Sequence, residues 1–258
     1  MADSPNKLAA IRFHHENAGL FEARYHEFEA DPYGSTFTYG RRKVDAIIDS
    51  TLADFPAGSA LLDVGCGTGF DLKRFTSRGF KVSGVEPAEA MRTLAQANNP
   101  TATIIPGDIE RLPLPDASFD VVLCIEVIRY LGTPNLALRE LARVTKPGGV
   151  AVITAAPLLS LNMYALINAV TSRIRVPGFA HVHQTFTTAA RVTADIRSGG
   201  FANVEVFGVF FGPWHVVGRI SRSALARALR RFEPLDDWLG RRRPIRDLAN
   251  HLVIVARR

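Results

Sequence analysis

The chain has 258 residues, 47% of them hydrophobic, which suffices for a substantial core and excludes global disorder. Its two cysteines, Cys66 and Cys124, are too few for a disulfide framework or a thiolate zinc site, so two reduced thiols in a cytoplasmic protein are expected. The formal charge of +6 is uneven: residues 219–258 hold eleven arginines against four acids, which suggests a local anionic contact or a solvated face and argues against nucleic-acid binding along the whole chain.

The N-terminus has no basic segment followed by an apolar core and a small-residue cleavage site, so no signal peptide is expected. Phe21, Tyr25 and Phe28 recur at helical spacing and predict a helix over residues 16–30, ended by the turn Asp31-Pro32-Tyr33-Gly34. A second amphipathic helix is predicted over 41–53, with Val44, Ile47, Ile48 and Leu52 on one face. Beyond Pro56-Ala57-Gly58, strands at 60–64, 81–85, 102–105, 119–124, 149–154, 203–209 and 251–256 are expected. Helices at 70–77, 88–97, 134–144 and 187–198 separate most of them. Such alternation predicts an α/β fold with seven strands in a mainly parallel sheet, helices on both faces and right-handed crossovers.

From Pro147 to Ser172 no residue is charged. Gly148, Gly149, Pro157, Asn162 and Asn168 interrupt the stretch, so it reads as a buried strand and an apolar helix. A membrane span needs ~20 mostly apolar residues in one run. One domain over 1–258 is expected, with a core at 56–157, 185–209 and 250–257 and helical cap insertions at 1–50, 158–184 and 210–248.

The sharpest signal is Leu61-Leu62-Asp63-Val64-Gly65-Cys66-Gly67-Thr68-Gly69, set between a strand and a helix. Its glycines permit a tight turn and leave no Cβ between backbone and ligand, at the sheet edge where open α/β folds bind ligands. A dinucleotide loop has the spacing Gly-x-Gly-x-x-Gly; here the third glycine comes one residue early and Phe70 replaces it. Asp63 stands just before the loop, where it disfavours a phosphate and favours an ammonium. S-adenosylmethionine carries an ammonium and a sulfonium and no phosphate, so it is the expected cofactor. Glu86, followed by Pro87 at the end of the second strand, is placed to accept both ribose hydroxyls. In Gly107-Asp108-Ile109 the carboxylate suits the adenine amino group and Ile109 the ring. Phe119 to Val127, which includes Ile125, is a buried strand leading into the active-site loop.

These residues, with Thr145-Lys146-Pro147-Gly148-Gly149, resemble the type-11 class I S-adenosylmethionine-dependent methyltransferases, the broad family that includes the ubiquinone and menaquinone biosynthesis methyltransferases. The resemblance covers about 55–157 well and implies a Rossmann-like sheet. It also implies that Gly65, Gly67 and Gly69 line the methionine moiety, that Glu86 holds the ribose and that Asp108 and Ile109 frame the adenine. Cys66 is expected to offer a small side chain and backbone contacts, and Asp120 a structural role.

Methyl transfer to a hydroxyl benefits from a general base. The family often has His-His after the fourth strand; this chain has Arg129-Tyr130, and an arginine is no base. The base is therefore sought among His181, His183, His215 and Tyr130, while Arg129 either binds an acidic group on the acceptor or serves the surface. Leu159, Met163, Leu166, Ile167 and Val170 fall at helical spacing, either buried against the sheet or forming an apolar acceptor wall. Ile220, Ala224, Leu225, Ala228, Leu229 and Phe232 form one face of a helix, with Arg222, Arg227, Arg230 and Arg231 away from it. That helix either packs on the core or rests on an anionic membrane at the inner face. The expected function is methyl transfer, by default to oxygen, on a small, apolar or lipid-linked acceptor. A nicotinamide-dependent oxidoreductase and a cofactor-binding pseudo-enzyme are the alternatives.

Overall fold

Strand residues alternate between two apolar layers, as the two-residue period of an extended chain requires. A computed structural model describes residues 5–171 and 182–258. Its strands are β1 (Ala60–Val64), β2 (Lys81–Val85), β3 (Thr103–Ile105), β4 (Phe119–Cys124), β5 (Thr145–Pro157), β6 (Phe186–Thr187), β7 (Asn203–Val209) and β8 (His251–Arg257). The helices are α1 (Pro5–Glu16), α2 (Ala18–Ala30), α3 (Thr36–Leu52), α4 (Phe70–Ser77), α5 (Glu89–Asn98), α6 (Asn135–Val144), α7 (Tyr164–Thr171), α8 (Ala189–Gly199), α9 (His215–Ile220) and α10 (Arg222–Gly240). Leu61, Val121, Leu123 and Val152 meet Val44 and Ile48 of α3 and Leu72 and Phe75 of α4 in one layer. Leu62, Val122, Cys124 and Ile153 meet Leu138 and Leu141 of α6 and Val192 and Ile196 of α8 in the other. Burial on both faces explains the nearly continuous apolar runs of the central strands.

The sheet order is β3-β2-β1-β4-β5-β8-β7. All neighbours run parallel except β8, which is antiparallel to both β5 and β7. Strand order reverses between β1 and β4, which locates the ligand crevice outside the ends of those strands. Because β8 runs backwards, its first residue, His251, stands at the edge where β5 ends, one residue before the Leu252–Ala155 pair. β6 is an eighth strand beyond the seven expected, pairing Phe186 and Thr187 with Ala156 and Pro157. Two residues carry no period to read.

Several elements differ from the sequence expectation. α1 lacks an apolar face, and so had no sequence signal. α3 starts at Thr36, earlier than its apolar period suggests, because Ser35 and Thr38 form a reciprocal capping box. It packs Val44, Ile48 and Leu52 into the sheet layer, so part of the stretch assigned to a cap is core. α7 is a correction: Leu159, Met163, Leu166, Ile167 and Val170 are all exposed, neither buried on the sheet nor walling a cavity. Only Asn168 of α7 is buried; its amide bonds the backbone of Val182 and Gln184, and that polar anchor fixes which face turns inward. α10 packs Leu225 and Leu229 against Tyr33, Tyr39 and Phe210, while Ile220, before its start, is 83% exposed.

α10 is also tied to α3 by charge. Lys43 is buried, hydrogen-bonded to Asp237 and 3.7 Å from the buried Asp236. Asp236 accepts from the amides of Phe210 and Phe211 and from the Tyr39 hydroxyl, so its desolvation is compensated by partners. No helix of the described residues is long and apolar enough to cross a membrane.

Candidate functional site

The loop after β1 depends on its three glycines for different reasons. Gly65, Gly67 and Gly69 all have positive φ (77°, 55° and 76°), where an L side chain is strained. A Cβ on Gly65 would lie 2.4 Å from Val127 Cγ2, and one on Gly69 2.5 Å from Asn99 Nδ2. A Cβ on Gly67 would meet nothing within 4 Å. That open direction belongs to a cavity of about 780 Å³, within the ~300–1,000 Å³ typical of small-molecule sites.

Glu86 follows β2 beside the loop, and its carboxylate accepts from the amides of Gly67 (3.0 Å) and Ala88 (2.8 Å). Burial raises its pKa, with those two amides opposing. Asp63 is pushed up to about 8, first by burial and then by Asp71, with Arg41 opposing. Two buried carboxylates held above their usual range favour a cationic neighbour. The residues therefore fit S-adenosylmethionine, whose sulfonium and ammonium are positive, better than a pyrophosphate. Past β3, Asp108 accepts from Lys7 Nζ (2.5 Å) and Ile109 is buried.

The same cavity is lined by the aromatic rings of Tyr25, Phe37, Tyr130, Tyr164 and Phe210, and by Glu126, Arg129, Gln184 and His251. Arg129 is hydrogen-bonded to Glu126 and Gln184 and lies 5.4 Å over the Tyr164 ring. Burial would raise the Glu126 carboxyl, but the Arg129 charge and then His251 hold it well below the usual range. Burial pushes the Tyr130 phenol up to about 12, with Arg129 opposing, so little phenolate exists there at neutral pH.

Residues 62–153 match the family described as a methyltransferase domain. The chain carries a methyltransferase domain over those residues. It is 38% identical over 105 residues to a malonyl-[acyl-carrier protein] O-methyltransferase of Serratia marcescens, covering 41% of each chain. Against a ubiquinone biosynthesis O-methyltransferase of Pseudomonas fluorescens it is 28% identical over 166 residues, covering 61% of this chain and 70% of that one. The chain thus spans about two fifths of the first relative's length. A solved S-adenosylmethionine-dependent methyltransferase from Thermotoga maritima superposes with a TM-score of 0.61 at 21% identity, over 94% of this chain and 96% of that one. At that identity the likeness speaks for the fold.

Within the methyltransferase domain, Gly65, Gly67, Glu86, Pro87, Asp108, Ile109 and Ile125 line one cavity. Asp63, Cys66 and Gly69 stand behind that lining: Cys66 is buried with its thiol raised by burial, and Gly69 packs on α5. Asp120 orients β1 by accepting from the Ala60 amide and Lys146. Among the sequence candidates for the base, Tyr130 lines the cavity, whereas His183 and His215 are exposed and do not line it. His181 lies outside the described residues. Arg129 has its guanidinium turned to Glu126 and Gln184. Sequence reasoning missed Glu126 and His251 as a pair. A polar residue heading an otherwise apolar last strand was the available signal.

Proposed function

We propose that the chain transfers a methyl group from S-adenosylmethionine to a small-molecule acceptor, by default at oxygen, and that the acceptor has an apolar body. The observation that carries this reading is the open face of Gly67 beside the buried Glu86, in one cavity that is also lined by aromatic rings. Gly65, Gly67 and Glu86 would hold the cofactor, with Asp108 and Ile109 at its far end; when bound, it supplies an already activated methyl group. The protein then has to align the acceptor and exclude water. Tyr25, Phe37, Tyr130 and Phe210 suit an apolar acceptor. The O-methyltransferase relatives support oxygen as the default, and nitrogen is the alternative, since an N,N-dimethyltransferase is 40% identical over 102 residues.

One domain working in the cytoplasm is part of the same reading, supported by the free, buried Cys66 and Cys124. Any anionic membrane contact through 219–232 would rest mainly on the arginines with the exposed Ile220, since Leu225 and Leu229 are buried against Tyr33 and Tyr39. Calorimetric titration tests the core of the reading: S-adenosylmethionine binds and NAD does not. Binding of NAD alone would return the chain to the oxidoreductase alternative, and cofactor binding without turnover on any hydroxyl acceptor would favour a pseudo-enzyme.

A further inference from the structure

His251 and Glu126 lie far apart in sequence and meet because β8 is antiparallel. His251 Nδ1 is 3.2 Å from Glu126 Oε1. The imidazole stacks on Phe210 (6.5 Å between centroids, 18° between planes). A Cβ on Gly40 would reach within 3.6 Å of Nε2, so the glycine leaves that nitrogen unobstructed on the α3 side.

Glu126 is fixed more firmly than a surface carboxylate. The Thr154 hydroxyl donates to its Oε1 at 2.9 Å, its own N–H donates to Thr154 Oγ1 at 2.6 Å, and Arg129 holds Oε2. Glu126 and Phe210 both have φ of 63°, a backbone conformation that non-glycine residues rarely adopt and that clusters at functional sites. Two strained residues therefore flank one histidine in the wall of the cavity that Gly67 and Glu86 also line.

We propose that His251 is the general base of the transfer, oriented by Glu126, and that its acceptor is a hydroxyl on an aromatic or otherwise apolar body. The inference rests on the methyl-transfer reading. Nδ1–H donates to the carboxylate, which leaves the Nε2 lone pair for the acceptor. As the acceptor oxygen bonds to the methyl carbon, its proton passes to Nε2. The carbon–sulfur bond breaks and its electron pair stays on sulfur. The imidazolium that forms faces Glu126.

The charges around the ring favour a neutral acceptor. Glu126 is engaged by Arg129 and Thr154, Arg41 from α3 is turned to Asp45 and Asp71, and Asp236 beneath Phe210 accepts two amides. At the far end Asp108 is paired with Lys7. Each of these charges has a partner within the protein, and Arg24, elsewhere in the cavity wall, lies over the Phe21 and Phe37 rings. A neutral hydroxyl needs only the base.

Nitrogen-15 NMR of histidine-labelled protein, with the His251 signal assigned by its loss in His251→Gln, reads the tautomer directly. A protonated Nδ1 with an unprotonated Nε2 is expected, and the opposite tautomer would overturn the assignment. Rates with two probe acceptors complete the test: 2-naphthol, largely un-ionised at pH 8, and 4-nitrophenol, which is ionised there. His251→Gln is expected to lower kcat for 2-naphthol by about 10²-fold or more and to change kcat for 4-nitrophenol little. Equal losses would mean a structural role and sink the base; a wild type that methylates neither would sink the hydroxyl acceptor. The affinity of both proteins for S-adenosylmethionine is measured alongside. Unchanged, tight binding with a wrong tautomer refutes this inference alone, whereas no binding by the wild type refutes the reading beneath it.

Discussion

Lys7 Nζ lies 2.5 Å from Asp108 Oδ2 and 2.6 Å from Glu110 Oε2, so one buried ammonium from α1 closes over the loop that follows β3. Asn6 adds a hydrogen bond to the Tyr130 carbonyl. The N-terminal helix is thereby pinned across the far end of the cavity. Removing one partner of a buried ion pair is costly, but the Asp108 side chain is 39% exposed and solvent discounts the loss. Lys7→Met should destabilise by about 1–2 kcal/mol. It should also raise amide exchange selectively in residues 5–16, measured by deuterium uptake. Uniform exchange across the chain would mean that α1 is not held this way.

Glu86 accepts from Gly67 and Ala88 in the structure, so it shapes the loop as well as offering a carboxylate to a ribose. Charge-assisted hydrogen bonds contribute ~1.5–3 kcal/mol each. Glu86→Ala should weaken S-adenosylmethionine binding tenfold or more by calorimetry while the protein remains folded. An unchanged dissociation constant would remove Glu86 from the ribose site.

Gly67 and Gly65 make a paired test. Gly67 has φ +55° and open space beyond its absent Cβ, while Gly65 faces Val127. Gly67→Val should fold with a near-native circular dichroism spectrum, lower the melting temperature through backbone strain and lose cofactor binding. Gly65→Val should lose more stability, because its side chain must displace Val127 as well. A Gly67→Val protein that binds normally would place the ligand elsewhere.

Asp63 predicts a pH dependence. Its folded pKa, raised to about 8 chiefly by burial, exceeds the ordinary carboxyl value. Its contribution is therefore fully present below about pH 4 and is lost as pH rises towards 8. Asp63→Asn should stabilise the cofactor-free protein at pH 8 by several degrees relative to wild type and bring little change at pH 4. Equal shifts at both pH values, read by thermal unfolding, would contradict this sign.

For α10, Arg230 is already engaged: it lies 3.6 Å from Asp31 and 4.2 Å over the Tyr33 ring. Arg222, Arg227 and Arg231 are the better probes. With Leu225 and Leu229 buried, membrane contact would be chiefly electrostatic, at about 1 kcal/mol per arginine near an anionic surface. Co-sedimentation with anionic and not neutral vesicles is expected at low salt, lost in added salt and in the triple Gln variant. No binding to either vesicle would end the membrane reading.

The sequence made the nucleoside half of the cavity legible because its residues are local. Asp63 to Gly69, Glu86 and Gly107 to Ile109 each sit on a loop whose position follows from the strand before it. The longer strands were legible for the same reason, and Phe119–Cys124 and Asn203–Val209 have the bounds their sequence suggests. The acceptor half is built across distance. His251 reaches Glu126 only through the direction of β8, and the exposed leucines near α7 follow from the buried Asn168 rather than from hydrophobic spacing. A periodic face tells that a helix has two sides; it does not tell which one meets the protein.

α3 serves two structures at once. Ile48 is fully buried in the sheet layer, while Gly40 and Arg41, two turns earlier, form part of the cavity wall. A wall welded to the core in this way cannot swing without opening the sheet layer beneath it. Traffic into the cavity therefore falls to the walls that rest on fewer apolar anchors, α1 with α2 on one side and the residues leading into α7 on the other. Exchange protection should be deepest along α3 and shallowest over those two entrances, and turnover should follow the rate at which they part.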